Sequence, residues 1–175
     1  MKTALLLRHA KSAWGNPGQA DHERPLNDRG ERAADLMAGH IARKCPRPEI
    51  VLCSTAARTR QTLAPLIHRL GSPAPPISLE KNLYLASETA LLARLQALAD
   101  DVRTVLLIGH NEGIGQLAEA LAGHGPPLLL KALWQKFPTG ALAVLRTDAD
   151  RWADLAPGSA ELVAFVRPRD LQGDA

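Results

Sequence analysis

What most constrains the fold of this 175-residue chain is a series of short, nearly unbroken apolar runs, each followed by a stretch with helical periodicity. "TALLL" (3–7), "EIVLCS" (49–54) and "VRTVLLIG" (102–109) carry Leu, Val and Ile at consecutive positions rather than alternate ones. A strand exposed on one face would alternate, so runs of this kind read as strands covered on both faces. "PPISLE" reads as a weaker strand, and "ALAVLR" and "ELVAFVR" finish the sheet. Between the runs lie predicted helices from about Asn27 to Arg43, through "ARTRQTLAPLIHRL" up to Gly71, near Ser87 to Ala99, and from Glu112 to Gly123. Asn27 or Asp28 can cap the first, Leu26 could act as its hydrophobic staple, and Pro65 should kink the second or sit near a bend. Pro126, Pro127, Pro138 and Gly140 predict a loop. Strands alternating with helices define the α/β class: a three-layer, mostly parallel central sheet with helices on both faces. With 46% hydrophobic residues and no repeat, low-complexity tract or linker, residues 1–175 read as a single domain around one core.

Several function classes drop out. No apolar run is long enough to span a bilayer, and the first residues lack the regions of a signal peptide, so the expectation is a soluble, cytoplasmic protein without a membrane partner. The net charge of +3 suits an anionic partner, but there is no Lys/Arg block and only 3% of residues are aromatic, which argues against nucleic acid. The positive charge is then expected to be local. Cys45 and Cys53 lack metal or disulfide spacing and read as free buried thiols. His22, His40, His68 and His124 show no paired metal spacing and read as solvated or capping residues. "GHNEGIG" is not a dinucleotide fingerprint, and there is no phosphate-loop lysine motif, so no cofactor and no metal are expected.

The polar residues that remain converge. In such sheets ligands collect beyond the carboxyl ends of the strands. Arg8 and His9 follow the first strand, Arg58 lies just past the second, and His110 follows Gly109. An isolated Arg-His pair is more often only the place where a strand reaches the surface; four coincident placements point to a crevice. Arginine forks match phosphoryl oxygens, so Arg8 and Arg58 could cradle a tetrahedral dianion. Their charge should depress the pKa of His9 and keep it neutral and nucleophilic, with a backbone carbonyl fixing its other nitrogen. Donors from Arg8, Arg58 and His110 would stabilise the transferring group, and water would then cleave a phosphohistidine intermediate.

"LLLRHAKSAW", "DHERPLNDRGERAA", "LCSTAARTRQT" and "LLIGHNEGI", in that order, resemble the signatures of the histidine phosphatase superfamily, and most of all its SixA-like phosphohistidine phosphatase branch. "RHA" stands where most of the superfamily has "RHG". The resemblance implies His9 as nucleophile, Arg8 and Arg58 as phosphate-pocket arginines, His110 as the second histidine, and Arg24 as an additional phosphate-directed arginine. It implies a compact enzyme hydrolysing a phosphohistidine-bearing protein or a small phosphate compound. A mutase, or a noncatalytic module binding phosphate or phosphoprotein, remains an alternative; a mutase would need a lid, for which no long stretch is evident. The leaving-group acid has no clear seat: Glu80 and Glu88 flank "KNLYLAS" without fitting a motif. Glu112, two residues past His110, is either that acid or a carboxylate favoured at a helix N-terminus. Trp14 should pack beneath its loop or wall the pocket, Lys11 and Ser12 could reach phosphate or serve the turn, and Arg60 should point elsewhere.

Overall fold

The sheet runs through the centre of the computed structural model, which describes residues 1–173. Among those residues it has seven strands: β1 (Lys2–Arg8), β2 (Ile50–Ser54), β3 (Ile77–Glu80), β4 (Thr104–Gly109), β5 (Ala122–His124), β6 (Leu142–Thr147) and β7 (Ala160–Val166). Their spatial order is β3-β2-β4-β1-β6-β7-β5. β4 pairs parallel with β1 and β2, β2 with β3, and β5 with β7; β6 is antiparallel to both its neighbours, so it alone runs against the rest. The helices are α1 (Asp28–Lys44), α2 (Ala57–Ile67), α3 (Glu88–Gln96), α4 (Gly113–Leu121), α5 (Pro127–Gln135) and the short α6 (Pro168–Leu171). None is long and apolar enough to cross a membrane.

Side chains on a strand alternate between faces, and here both faces are covered. Leu5 and Leu7 of β1 pack with Val51, Leu106 and Ile108 under Met37, Ala38 and Ile41 of α1 and Leu63 and Leu66 of α2. Ala4 and Leu6 point the other way, into a cluster with Leu107, Leu91, Leu95, Ile114, Leu117, Leu133 and Trp152. Each fully buried Leu or Ile contributes about 1.5–3 kcal/mol relative to exposure. These two layers explain the continuous apolar runs and hold the strand ends rigidly.

α1 begins as expected: the Asn27 side chain accepts from Gly30 N–H at 2.8 Å, and Asp28 and Glu31 sit in the first turn, Arg43 and Lys44 in the last. Leu26 does not staple a residue one turn on; it packs against Ala10 and Ala34. α2 accommodates Pro65 near its end and stops at Ile67, short of Gly71. The predicted loop around Pro126 and Pro127 contains α5, because proline at the first helical position loses no hydrogen bond and starts a helix well. The helix read through Gly123 stops at Leu121, and β5 follows as an edge strand against β7. Gly123 is needed there: a Cβ would lie 2.0 Å from the Gly158 carbonyl oxygen. Cys45 is half-buried and Cys53 buried, both free; burial pushes their thiols up to about 11 and about 12.

Gly30 locks α1 onto the segment after His9. A Cβ there would lie 2.0 Å from the Lys11 carbonyl oxygen, which also accepts from Asn27 N–H at 3.0 Å. Gly→Ala inside a helix ordinarily stabilises; here Gly30→Ala should destabilise by about 1–3 kcal/mol in urea unfolding, because backbone must move. An unchanged or raised midpoint would contradict this close contact.

Candidate active site

The parallel register of β1 and β4 places Arg8 opposite Gly109. One more bond, His9 N–H to the Gly109 carbonyl at 3.1 Å, carries the pairing past the strand end, and His110 follows directly. β2 flanks β4 on its other side and ends in Ser54, after which the first turn of α2 supplies Arg58. Two tethers fix the segment bearing the histidine. Ala10 N–H donates to Thr62 Oγ1 of α2 at 2.9 Å, and Gly140 N–H donates to the His9 carbonyl at 2.9 Å. The predicted Arg8, His9, Arg58 and His110 are thus brought to one end of the sheet.

The His9 and His110 ring centroids lie 5.3 Å apart at 54°. His9 Nδ1 lies 2.7 Å from the Ala10 carbonyl, which can only accept, so Nδ1 carries the proton and Nε2 presents its lone pair. His110 Nε2 shares a hydrogen bond with Ser54 Oγ at 2.8 Å. Arg8 is anchored through Nη1 to the Phe137 carbonyl at 2.9 Å. Among the described residues, the buried side-chain nitrogens and oxygens without a hydrogen-bond partner are Arg8 Nε, Arg58 Nε and His110 Nδ1. An unmet buried polar group costs about 1–3 kcal/mol, so three of them on three neighbouring residues suit an anion with several acceptor oxygens.

His9 is held down to about 4 from an ordinary 6.5, by burial first and then by Arg58, Arg8 and Arg24, against the opposing Ala10 hydrogen bond. His110 is held down to about 3, again by burial first and then by His9 and Arg58. Both rings are therefore neutral near pH 7. The expected role of the guanidinium charges is present but secondary to desolvation. Burial and then Arg58 also lower the pKa of Arg8.

Arg24 joins the cluster through a residue that the sequence reading passed over. Asp21 accepts from Arg24 Nε at 3.0 Å and from Arg58 Nη2 at 3.0 Å, and it also accepts from the Tyr84 hydroxyl. Those partners, Tyr84 foremost, hold its carboxyl well below the usual carboxylate range. Arg58 Nη1 additionally donates to the Asp21 carbonyl at 2.8 Å. Tyr84, the chain's one tyrosine, stands edge-on to His110 at 5.3 Å and to His22 at 4.9 Å. His22 bonds Thr55 Oγ1 at 2.8 Å, so it belongs to the rim of the site rather than to solvent alone. Asp21 could have been found from its position three residues before Arg24, and Ser54 from its place in "LCSTAAR". Nothing in the sequence singled out Tyr84.

Of the remaining expectations, the one for Trp14 is corrected. Trp14 neither packs beneath its loop nor walls the pocket; it is 92% exposed, with the Arg24 guanidinium 5.4 Å from its ring centre. Glu80 is taken up by Arg94 at 2.7 and 2.9 Å. Glu112 is exposed at the N-cap of α4 and makes no side-chain capping bond. Arg60 turns to the Thr55 carbonyl at 3.0 Å.

An α/β sheet that presents a neutral buried imidazole, a second histidine and unpaired guanidinium nitrogens at its strand ends defines a phosphoryl-handling enzyme. The histidine phosphatase superfamily (branch 1) matches residues 4–84. An uncharacterized protein of Mycobacterium tuberculosis is 42% identical over 165 residues, 93% of this chain and 100% of its own. The structure of a candidate phosphohistidine phosphatase SixA from Nakamurella multipartitia is 33% identical with a TM-score of 0.81, covering 95% of this chain and 96% of that one. The protein histidine phosphatase SixA complexed with tungstate is 26% identical with a TM-score of 0.76, covering 97% and 99%. The chain belongs to the histidine phosphatase superfamily, as a SixA-like phosphatase.

Two outcomes follow from these electrostatics. The unfolded chain, with ordinary histidines near 6.5, binds more protons than the folded one as pH falls from there towards about 4. Stability should therefore be full above pH 6.5 and decline on acidification through that window, and His110→Asn should flatten the decline in thermal melts. A wild-type profile level from pH 7 to about 5 would contradict burial of neutral rings. Asp21→Asn removes the negative charge beside Arg58 and Arg24. Inorganic phosphate should then inhibit about three- to tenfold more tightly, whereas weaker inhibition would mean that the carboxylate is needed to aim the arginines.

Proposed function

We propose that this phosphatase hydrolyses phosphohistidine on a protein substrate through a covalent phosphohistidine on His9, with no step assigned to a metal ion. The observation that carries the reading is the His9 ring: its Nδ1 is fixed on the Ala10 carbonyl and its Nε2 is left free, beside the unpartnered nitrogens of Arg8, Arg58 and His110. In the first step the Nε2 lone pair forms a bond to phosphorus as the bond to the leaving group breaks, and that group departs with the electron pair. The Ala10 carbonyl keeps Nδ1–H in place and offsets the positive charge that develops on the ring. Arg8, Arg58 and His110 donate to the equatorial oxygens, where charge spreads in the transition state. In the second step water attacks phosphorus, the P–Nε2 bond breaks, His9 returns to its neutral form and the water's proton passes to solvent. That the related SixA is complexed with tungstate, a tetrahedral oxyanion like phosphate, supports a phosphoryl ligand for this fold.

The leaving group favours a phosphohistidine substrate. A protonated imidazole leaves neutral and needs no further acid, whereas an alkoxide does. Glu112, two residues past His110 and exposed, is the proposed donor for alkoxide leaving groups. Arg24 is proposed to turn from Asp21 to an incoming phosphate.

Brief incubation with a radiolabelled aryl phosphate followed by a base quench should give an acid-labile label on His9 that is absent from His9→Ala. Arg58→Ala should lower kcat by about 10²–10³. In a panel of phosphohistidine peptide, alkyl phosphate and phosphoglycerate, the peptide should turn over fastest, and Glu112→Gln should slow only the alkyl ester. Phosphate binding without a label would favour a binding module, and positional isomerisation of phosphoglycerate would favour a mutase.

A further inference from the structure

A cavity of about 520 Å³ lies beside the active site but is lined by none of Arg8, His9, Arg58 and His110. One wall is a stripe of α1 carrying Arg29, Arg32 and Leu36, spaced so that they share a helix face. The end of α5 contributes Lys136, α6 contributes Arg169, and the loop after β1 contributes Lys11. Among the described residues, Lys11, Arg29, Arg32, Lys136 and Arg169 form no ion pair, and no carboxylate lines the cavity. Those five cations exceed the net charge of +3 carried by the whole chain. The positive charge of the sequence is therefore concentrated here as well as around His9.

Among the described residues, the nearby acids cancel it only in part. Asp170 is engaged by Arg167, with 3.0 Å contacts from both Nε and Nη2. Asp28, Glu31 and Asp35 lie with Arg32 around a neighbouring depression of α1 and offset that arginine in part, but they form no ion pair with the other four cations. Like charges gathered from three helices and one loop repel one another, so the arrangement favours an anionic occupant.

The size and lining narrow the class. A volume of about 520 Å³ falls within the range of small-molecule sites, which run to about 300–1,000 Å³. Five cations contributed by four separate segments of the chain suit more than one anionic group. Between them Leu36, Ala33, Ala132 and Pro138 present an apolar surface, which a bare inorganic ion would not use. We propose that this cavity is a second binding site, separate from the pocket of His9, for a small organic molecule carrying two or more phosphate groups, of the nucleoside diphosphate type. The partition between the two sites is the backbone of Lys11 and of Pro138–Thr139. Its next residue, Gly140, donates to the His9 carbonyl at 2.9 Å.

The test uses ADP as the probe and calorimetry as the readout, on the full chain carrying His9→Ala so that no phosphate is removed. ADP should bind saturably and more weakly as salt is raised. Adding Arg58→Ala, which disables the catalytic pocket, should leave that affinity within about twofold, whereas Arg29→Ala with Lys136→Ala and Arg169→Ala should weaken it at least about tenfold. These three side chains are exposed, so their removal should leave the thermal melt in place; the single change Lys136→Glu provides a second variant with the same expected direction. Absence of saturable ADP binding, loss of binding with Arg58→Ala but not with the cavity variants, or displacement of ADP by a polyglutamate peptide would each overturn the proposal. Aryl phosphate turnover by the unaltered protein reports on the His9 reaction separately, so the two readings can fail independently.

Discussion

The pairing of β1 with β4 is the constraint on which the rest of the site depends. Because the two strands run parallel and in register to Arg8 and Gly109, their next residues, His9 and His110, emerge side by side. Parallel neighbours place like ends together, so the last backbone groups of both strands open on the same edge of the sheet. The His9 amide bond to the Gly109 carbonyl keeps the chain extended one residue beyond β1, and the contact of Ala10 with Thr62 then anchors the turn. Rigidity at this point comes from the layers beneath, where Leu5, Leu6 and Leu7 have almost no exposure on either face.

Burial at the strand ends also sets the chemistry. An imidazole 7% exposed and another 2% exposed lose hydration that a charged ring would need, so both stay neutral before any guanidinium is considered. Arg58, itself only 3% exposed, is held beside them by the Asp21 carboxylate and carbonyl. Asp21 thus supplies an internal anion to Arg58 and Arg24, joined by the Tyr84 hydroxyl. Guanidinium groups buried without any anionic neighbour would be costly, and a partly exposed carboxylate offsets that cost while remaining displaceable.

Much of the architecture was legible because buried strands and amphipathic helices leave different apolar periods. The run through "VRTVLLIG" ends where β4 ends, and Asn27 caps α1 by the bond its residue type predicts. Misreadings fell where one local signal has two structural meanings. Pro127 signals a break in sequence, yet it opens α5 because the first residue of a helix needs no N–H partner. Gly123 resembles a helix end, but its missing side chain serves an edge strand that approaches the Gly158 carbonyl. Trp14 was expected to pack beneath its loop or wall the pocket, but it stays exposed with the Arg24 guanidinium over its ring.

By itself the sequence determined the α/β class and the placement of Arg8, His9, Arg58 and His110 at or just past the strand tips, since covalent order and apolar period are local properties. Tertiary structure decided which distant groups meet them: Asp21 and Tyr84 are 63 positions apart, and Ser54 and His110 are 56 apart, yet each pair is hydrogen-bonded. It also decided that five cations from α1, the end of α5, α6 and the loop after β1, none of them ion-paired among the described residues, would line one cavity. Such pairings arise from packing of helices across a sheet, and no periodicity along the chain encodes the distance between two side chains that only the folded layers bring together.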